Sequence, residues 1–227
     1  MVTKYLDQKL TFDGNKSIYD GYGKPVMMDW EAEWMDESAK IICSKGGRVL
    51  NIGFGLGIID TFIQTYPVEA HYICEPHPDI LKKMKTEGWY NKPNVHVIPF
   101  TWQEGLKEGF KEKFDSIYFD AYDMLNPHDA GGQGFFEEFI PLLPKLLKKD
   151  GIFSFWAGPI YESNRAVHIQ FRNLLMKALQ PTFQLEKKYY KYNDTELTRE
   201  RFKYTNQKRY TIPVITYRKV PLKVPLI

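Results

Sequence analysis

Arg48-Val-Leu-Asn-Ile-Gly-Phe-Gly-Leu-Gly-Ile-Ile59 carries an apolar strand into three glycines at alternate positions, Gly53, Gly55 and Gly57. A helix pattern follows, and then a second apolar run, Ala70-His-Tyr-Ile-Cys-Glu75, which ends on a carboxylate. Glycines at a strand-to-helix turn let the backbone bend sharply and let a ligand approach it closely. Glu75 stands where a carboxylate could accept hydrogen bonds from both hydroxyls of a ribose. The glycine spacing is G-x-G-x-G, and Ile58 occupies the place of the third glycine of the dinucleotide pattern G-x-G-x-x-G. No G-x-x-x-x-G-K-[ST] is present, so a phosphate-cradling loop is not expected. An adenosine-type cofactor without a pyrophosphate, S-adenosylmethionine, fits this spacing better than NAD.

Working outward, strands and helices alternate. Strands are expected at Val49–Ile52, Tyr72–Glu75, Val95–Pro99, Ser116–Asp120 and Ile152–Trp156. Helices are expected near Ile58–Tyr66, Asp79–Glu87, Phe135–Leu147 and Arg165–Leu179, with an earlier one from about Val26 to Cys43. This alternation predicts an α/β fold with a mostly parallel sheet covered on both faces. Phe183–Tyr190 and Tyr210–Arg218 are β-rich and are expected to pair antiparallel at the far edge of the sheet. Residues 1–25 read as an N-terminal arm or lid with Tyr5, Leu6 and Phe12 as anchors, and 26–227 as one domain. Residues 191–209 fit either helix or ordered loop.

Composition sets bounds. The 227 residues are 43% hydrophobic and 15% aromatic, a globular composition with enough chain for one sizeable core. No apolar run is long enough to span a membrane and the N-terminus lacks the pattern of a signal peptide. Cys43 and Cys74 have no framework or metal spacing and read as reduced core thiols, which points to the cytoplasm, with the nucleus also open. The five histidines are scattered, so no metal site is expected. The net charge of +3 is uneven: residues 181–227 hold 11 Lys/Arg against 4 Asp/Glu. That tail is either a solvated face or a docking surface for an acidic or RNA-bearing partner.

In a parallel sheet the ligand lies beyond the carboxyl ends of the strands. Those ends bring Gly53–Gly57, Glu75, the Phe100–Gln103 loop, Asp120 and the Ala157–Pro159 turn to one crevice. Trp102 either stacks on a base or fills the core, and Gln103 suits an adenine edge. Asp120 is placed for catalysis or merely caps a loop. Met27, Glu31 and Met35, at i, i+4 and i+8, share one face if their segment is helical. Glu31 then either sits solvated at the edge of a Met/Trp stripe or faces a cationic ligand, since a buried unpaired charge is costly.

The stretches Gly23-Lys-Pro-Val-Met-Met-Asp-Trp-Glu31, Val49-Leu-Asn-Ile-Gly-Phe-Gly-Leu-Gly57, Tyr72-Ile-Cys-Glu-Pro-His-Pro-Asp79, Gly88-Trp89, Lys92-Pro-Asn-Val95 and Phe153-Ser-Phe155 together resemble the guanidino-directed methyltransferases. Within that superfamily the chain is more similar to the type IV protein arginine methyltransferases than to guanidinoacetate N-methyltransferase. The resemblance implies a class I S-adenosylmethionine-dependent fold (Rossmann-like). It implies that Gly53, Phe54, Gly55, Leu56, Gly57 and Ile58 cradle S-adenosyl-L-methionine and its product S-adenosyl-L-homocysteine. Glu75 would hold the ribose, Trp102 and Gln103 would flank the adenine, and Met27 and Met35 would border the cofactor. Glu31 and Asp120 would grip the acceptor guanidinium, with Gly158 and Pro159 beside it. The implied acceptor is an arginine of a protein, ribosomal in type IV enzymes and methylated on its delta nitrogen.

Three departures accompany the resemblance. Ala121 stands where the family has Thr, and Trp156-Ala-Gly-Pro159 stands where it has Asn after the fifth strand. Pro159 also lacks an N–H for a substrate carboxylate, which disfavours guanidinoacetate and keeps a peptide acceptor. The ankyrin-like region that precedes the type IV catalytic domain is not expected in these residues. A small-molecule guanidino methyltransferase is the alternative enzyme, and a non-catalytic nucleoside-binding scaffold the alternative of another class.

Overall fold

In a computed structural model, residues 4–108, 110, 113–121, 138–157, 169, 173, 177, 183–193 and 209–217 are described. A small antiparallel sheet comes first, built from β1 (Thr11–Asp13), β2 (Ser17–Tyr19) and β3 (Pro25–Met28). The main sheet follows: β4 (Arg48–Ile52), β5 (Ala70–Cys74), β6 (Val95–Ile98), β7 (Phe114–Phe119), β8 (Leu147–Phe155), β9 (Phe183–Lys191) and β10 (Arg209–Tyr217). Its order is β6-β5-β4-β7-β8-β10-β9. The first five strands are parallel, and β10 runs antiparallel to both β8 and β9. The chain steps outward from β4 to β6 and then returns to β7, so the order reverses between β4 and β7. A crevice opens at such a reversal.

The helices cover the sheet. Among the described residues they are α1 (Ala32–Ile42), α2 (Ile58–Ile63), α3 (Pro78–Thr86), α4 (Trp102–Glu108) and the short α5 (Leu143–Leu146), which with the 3-10 turn Ile140–Leu142 stands where a helix was expected over Phe135–Leu147. α1 buries Trp34, Met35, Ser38, Ala39, Ile41 and Ile42, one helical face, and lies against α2, β7, β8 and β10. The central strands are apolar on both faces, with Leu50, Ile73, Ile117 and Phe153 fully buried, as a sheet covered twice requires. One polar group is built into this core. Asn51 Nδ2 donates to the Gly53 carbonyl at 2.7 Å and to Asp60 Oδ1 at 2.9 Å. His71 Nε2 approaches the same Asp60 oxygen at 3.0 Å, and Gln64 meets His71 Nδ1 at 3.1 Å. This network ties the glycine turn to α2 and β5. No helix among the described residues is long and apolar enough to cross a membrane.

Several expectations need correction. The helix expected from Val26 starts at Ala32; Pro25–Met28 is a strand paired with β2, followed by a 3-10 turn at Asp29–Glu31. The cause is local: Glu31 Oε1 accepts the Met28 amide at 3.0 Å, which closes the strand and starts the turn. Met27, Glu31 and Met35 therefore do not share a helix face. The boundary drawn at residue 25 also cuts through β3. β8 begins at Leu147, earlier than expected, with Asp150 at φ +63° ahead of Gly151. Of the expected helix Arg165–Leu179 only Ile169, Asn173 and Lys177 are described, each helical. The antiparallel pair at the far edge forms as the sequence suggests.

Candidate active site

A cleft open to solvent lies over the β4/β7 reversal. Met27, Gly53, Gly55, Glu75, Trp102, Gln103 and Asp120 line it, as do Tyr5 and Leu6. Of the strand ends that the sequence placed at one crevice, those carrying Gly53, Gly55, Glu75, Trp102, Gln103 and Asp120 meet there, while Ala157 is not part of this lining.

Two glycines explain how the walls come so close. Gly53 has φ +94°, and a Cβ there would stand 2.1 Å from the Asp120 carbonyl oxygen. Gly55 has φ +56°, and its Cβ would stand 2.7 Å from Met27 Sδ. L side chains avoid both conformations. The turn after β4 is thus pressed against the end of β7 on one side and β3 on the other. The Leu56 amide donates to Met27 Sδ at 3.1 Å, and the Asp120 amide to the Ile52 carbonyl at 2.8 Å.

Glu75, at the end of β5, is 3% exposed. Its Oε2 accepts the Phe54 amide at 2.9 Å and its Oε1 the His77 amide at 2.7 Å. Burial raises its pKa to about 7 against the lowering pull of the amides of Phe54, His77 and Gly55. A carboxylate has about four acceptor sites, so with three amides in place it can still receive a hydroxyl. Trp102 opens α4, packs edge-on against Phe119 and Phe139, and keeps one side on the cleft. It serves the core and the cleft at once, and Gln103 beside it is exposed.

Asp120 and Glu31 are two carboxylates that burial holds away from ionisation. Asp120 Oδ2 is buried and has no hydrogen-bond partner among the described residues. Its pKa is raised well above the usual range, first by burial, then by Glu31 and Asp60. Glu31 is buried, and burial pushes it up to about 7 against the Met28 amide and the neighbouring Trp156 indole. Two buried carboxylates that each resist ionisation, one of them raised by the other, make a region that gains by receiving a cation. Trp156, just past β8, stacks on Trp34 at 5.5 Å and 17°. The sequence reading named the turn after it and missed Trp156, although the rule of carboxyl ends includes it.

Other expected residues lie elsewhere. Met35 is fully buried and its sulfur accepts the Tyr118 hydroxyl at 3.6 Å. Phe54 is in the core, edge-on to Trp89. Leu56, Gly57 and Ile58 line a second, more open hollow with Lys83 and Trp89. Glu31 does not line the main cleft, though its charge is near enough to raise the pKa of Asp120. Gly158 and Pro159 fall outside the described residues.

Residues 2–157 match the family model described as guanidinoacetate N-methyltransferase. Protein arginine N-methyltransferase 2 of Candida glabrata is 41% identical over 166 residues, 68% of this chain and 37% of that protein. Its counterpart in Yarrowia lipolytica is 40% identical over 163 residues, 68% of this chain and 33% of that protein. The chain thus spans little more than a third of the length of the curated relatives it matches. Spermidine synthase from Thermotoga maritima superposes with a TM-score of 0.62 at 17% identity, covering 91% of this chain and 67% of that one. Precorrin-6y C5,15-methyltransferase from Geobacter metallireducens gives 0.53 at 14%, covering 81% and 87%. At these identities the likeness fixes the fold, that of the class I methyltransferases.

Proposed function

The chain belongs to the guanidinoacetate N-methyltransferase family, and from that premise we propose that it transfers a methyl group from S-adenosyl-L-methionine to a guanidino nitrogen of a protein arginine. The observation that carries this reading is the buried pair Glu31 and Asp120, one oxygen of it unpartnered, beside a cleft that holds Glu75. The cleft suits the cofactor: Glu75 offers a lone pair to a ribose hydroxyl, Gly53 and Gly55 leave the backbone open, and Trp102 presents an aromatic side. When bound, that cofactor supplies an electrophilic methyl group on a sulfonium.

The protein's work is then alignment and exclusion of water. A guanidinium has a pKa above about 12 and five N–H donors in a planar fork. Glu31 and Asp120 can take that fork and draw its positive charge away from the attacking nitrogen. The raised pKa of both groups favours proton transfer from the guanidinium to Asp120 Oδ2 as the nitrogen becomes nucleophilic. Charge that develops on the acceptor faces two carboxylates already in place.

The finer assignment is a delta-nitrogen methyltransferase of a ribosomal protein. The names of the fungal relatives and the type IV pattern of the sequence support a protein acceptor. The basic 181–227 segment supports an acidic or RNA-bearing partner. The second reading, methylation of guanidinoacetate, is favoured by the description of the family model alone. A radiolabelled methyl-transfer assay with hypomethylated ribosomal proteins and guanidinoacetate side by side decides between them. Label in a protein, released on acid hydrolysis as delta-methylarginine, is the expected result. Label only in the small molecule overturns the protein assignment, and no label in either overturns the transferase reading.

A further inference from the structure

The stretch Glu75-Pro-His-Pro-Asp79 carries three polar side chains, and the function above uses only the first. The other two reach the N-terminal segment. His77 is fully buried. Its Nδ1 accepts the Asp79 amide at 3.2 Å, capping α3, so Nε2 carries the proton and donates to the Tyr5 carbonyl at 3.2 Å. Burial holds His77 below the ordinary imidazole range, which keeps this neutral form. The Tyr5 ring rests 4.8 Å from the imidazole. Asp79 Oδ2 accepts the Leu10 amide at 3.0 Å, and Oδ1 pairs with Lys9 at 3.0 Å. Leu10 is itself in the core. The segment Tyr5–Leu10 is thus hung from the start of α3 at both ends, and Tyr5 and Leu6 line the cleft together with Glu75.

We propose that His77 and Asp79 are positioning residues that clasp residues 5–10 over the cofactor end of the cleft, making the N-terminal segment part of the cofactor site and setting how long the cofactor stays. The proposal rests on the reading of the Glu75 cleft as that site. One loop then does two things: Glu75 meets the ligand, while the two polar groups that follow hold the chain that covers it. Acceptor binding, at Glu31 and Asp120, lies outside the clasp.

The test uses the full chain and S-adenosyl-L-homocysteine as the probe. His77→Asn keeps an oxygen to cap α3 but is too short to reach the Tyr5 carbonyl. Tyr5→Ala removes the same wall from the other side, without touching α3. The expected result for each is release of the probe faster by about tenfold, the scale of one lost hydrogen bond or ring contact. The KM for S-adenosyl-L-methionine should rise, while kcat and the acceptor KM hold, and the melting temperature without ligand should fall by only a few degrees. Amide exchange in residues 5–10 should slow on probe binding in the wild type and not in His77→Asn. Unchanged release in both variants, or exchange in residues 5–10 that ignores the probe in the wild type, overturns the clasp alone. Failure of the wild type to bind the probe overturns the cofactor reading first, and the clasp with it.

Discussion

At the scale of single residues the proposed reaction rests on Glu31 and Asp120, and their substitution is the sharpest test of it. Glu31→Gln and Asp120→Asn keep shape and remove charge, so each should lower kcat/KM for the arginine acceptor by roughly 10²-fold or more, with cofactor affinity retained. Near-normal turnover in both would remove the pair from the mechanism. Gly53→Ala should act differently. A methyl group there meets the Asp120 carbonyl oxygen at 2.1 Å in a left-handed backbone. Denaturant titration should show a loss of several kcal/mol, on the order of an overpacked core site. Both carboxylates and the three glycines were legible in the sequence, because a strand-end position and a glycine spacing are local signals. Trp156 was legible in principle, standing at the end of β8. The unpartnered oxygen of Asp120 was not, since burial arises from packing between distant segments.

Among the elements, the glycine turn depends on groups behind it. Asn51 donates to both the Gly53 carbonyl and Asp60, and His71 approaches Asp60 from β5. Asn51→Leu would leave two buried acceptors without this donor, so unfolding in urea should show a cost of about 2–5 kcal/mol. A smaller loss, within experimental error of zero, would mean that the turn is held by its glycines alone. The parallel strands were readable because each is a short apolar run punctuated by a turn or a helix pattern. The start of α1 was not. Met27, Glu31 and Met35 repeat at a helical interval, yet Pro25-Val-Met-Met pairs with Ser17–Tyr19, and a partner strand in the polar arm leaves no periodicity of its own. A contact between segments decided that boundary, against local spacing.

The whole molecule should feel its buried acids through pH. Glu31 and Glu75 each move from 4.5 to about 7 on burial. A folded pKa above the unfolded one means that the folded state binds more protons in between. Stability is then fullest below about pH 4.5 and falls as pH rises through about 7, by up to about 3 kcal/mol for one such group. The ligand-free protein should therefore lose melting temperature across that window, and Glu31→Gln should flatten the slope. A wild-type curve already flat there would show that the two carboxylates are solvated. Calorimetry in buffers of different ionisation heat should also show protons leaving when the acceptor binds, because the cation pulls both carboxylates into their charged form. The order of the sheet bears on how the chain is made. β10, last among the described strands, does not lie at the rim but between β8 and β9. During synthesis β8 keeps a bare apolar edge, and β9 waits without its neighbour, until residues 209–217 leave the ribosome. A ribosome stalled before Arg209 would therefore hold a nascent chain whose glycine turn and acid pair are already translated but whose sheet is still open, a form that chaperones should recognise and release only after the final strand slots in.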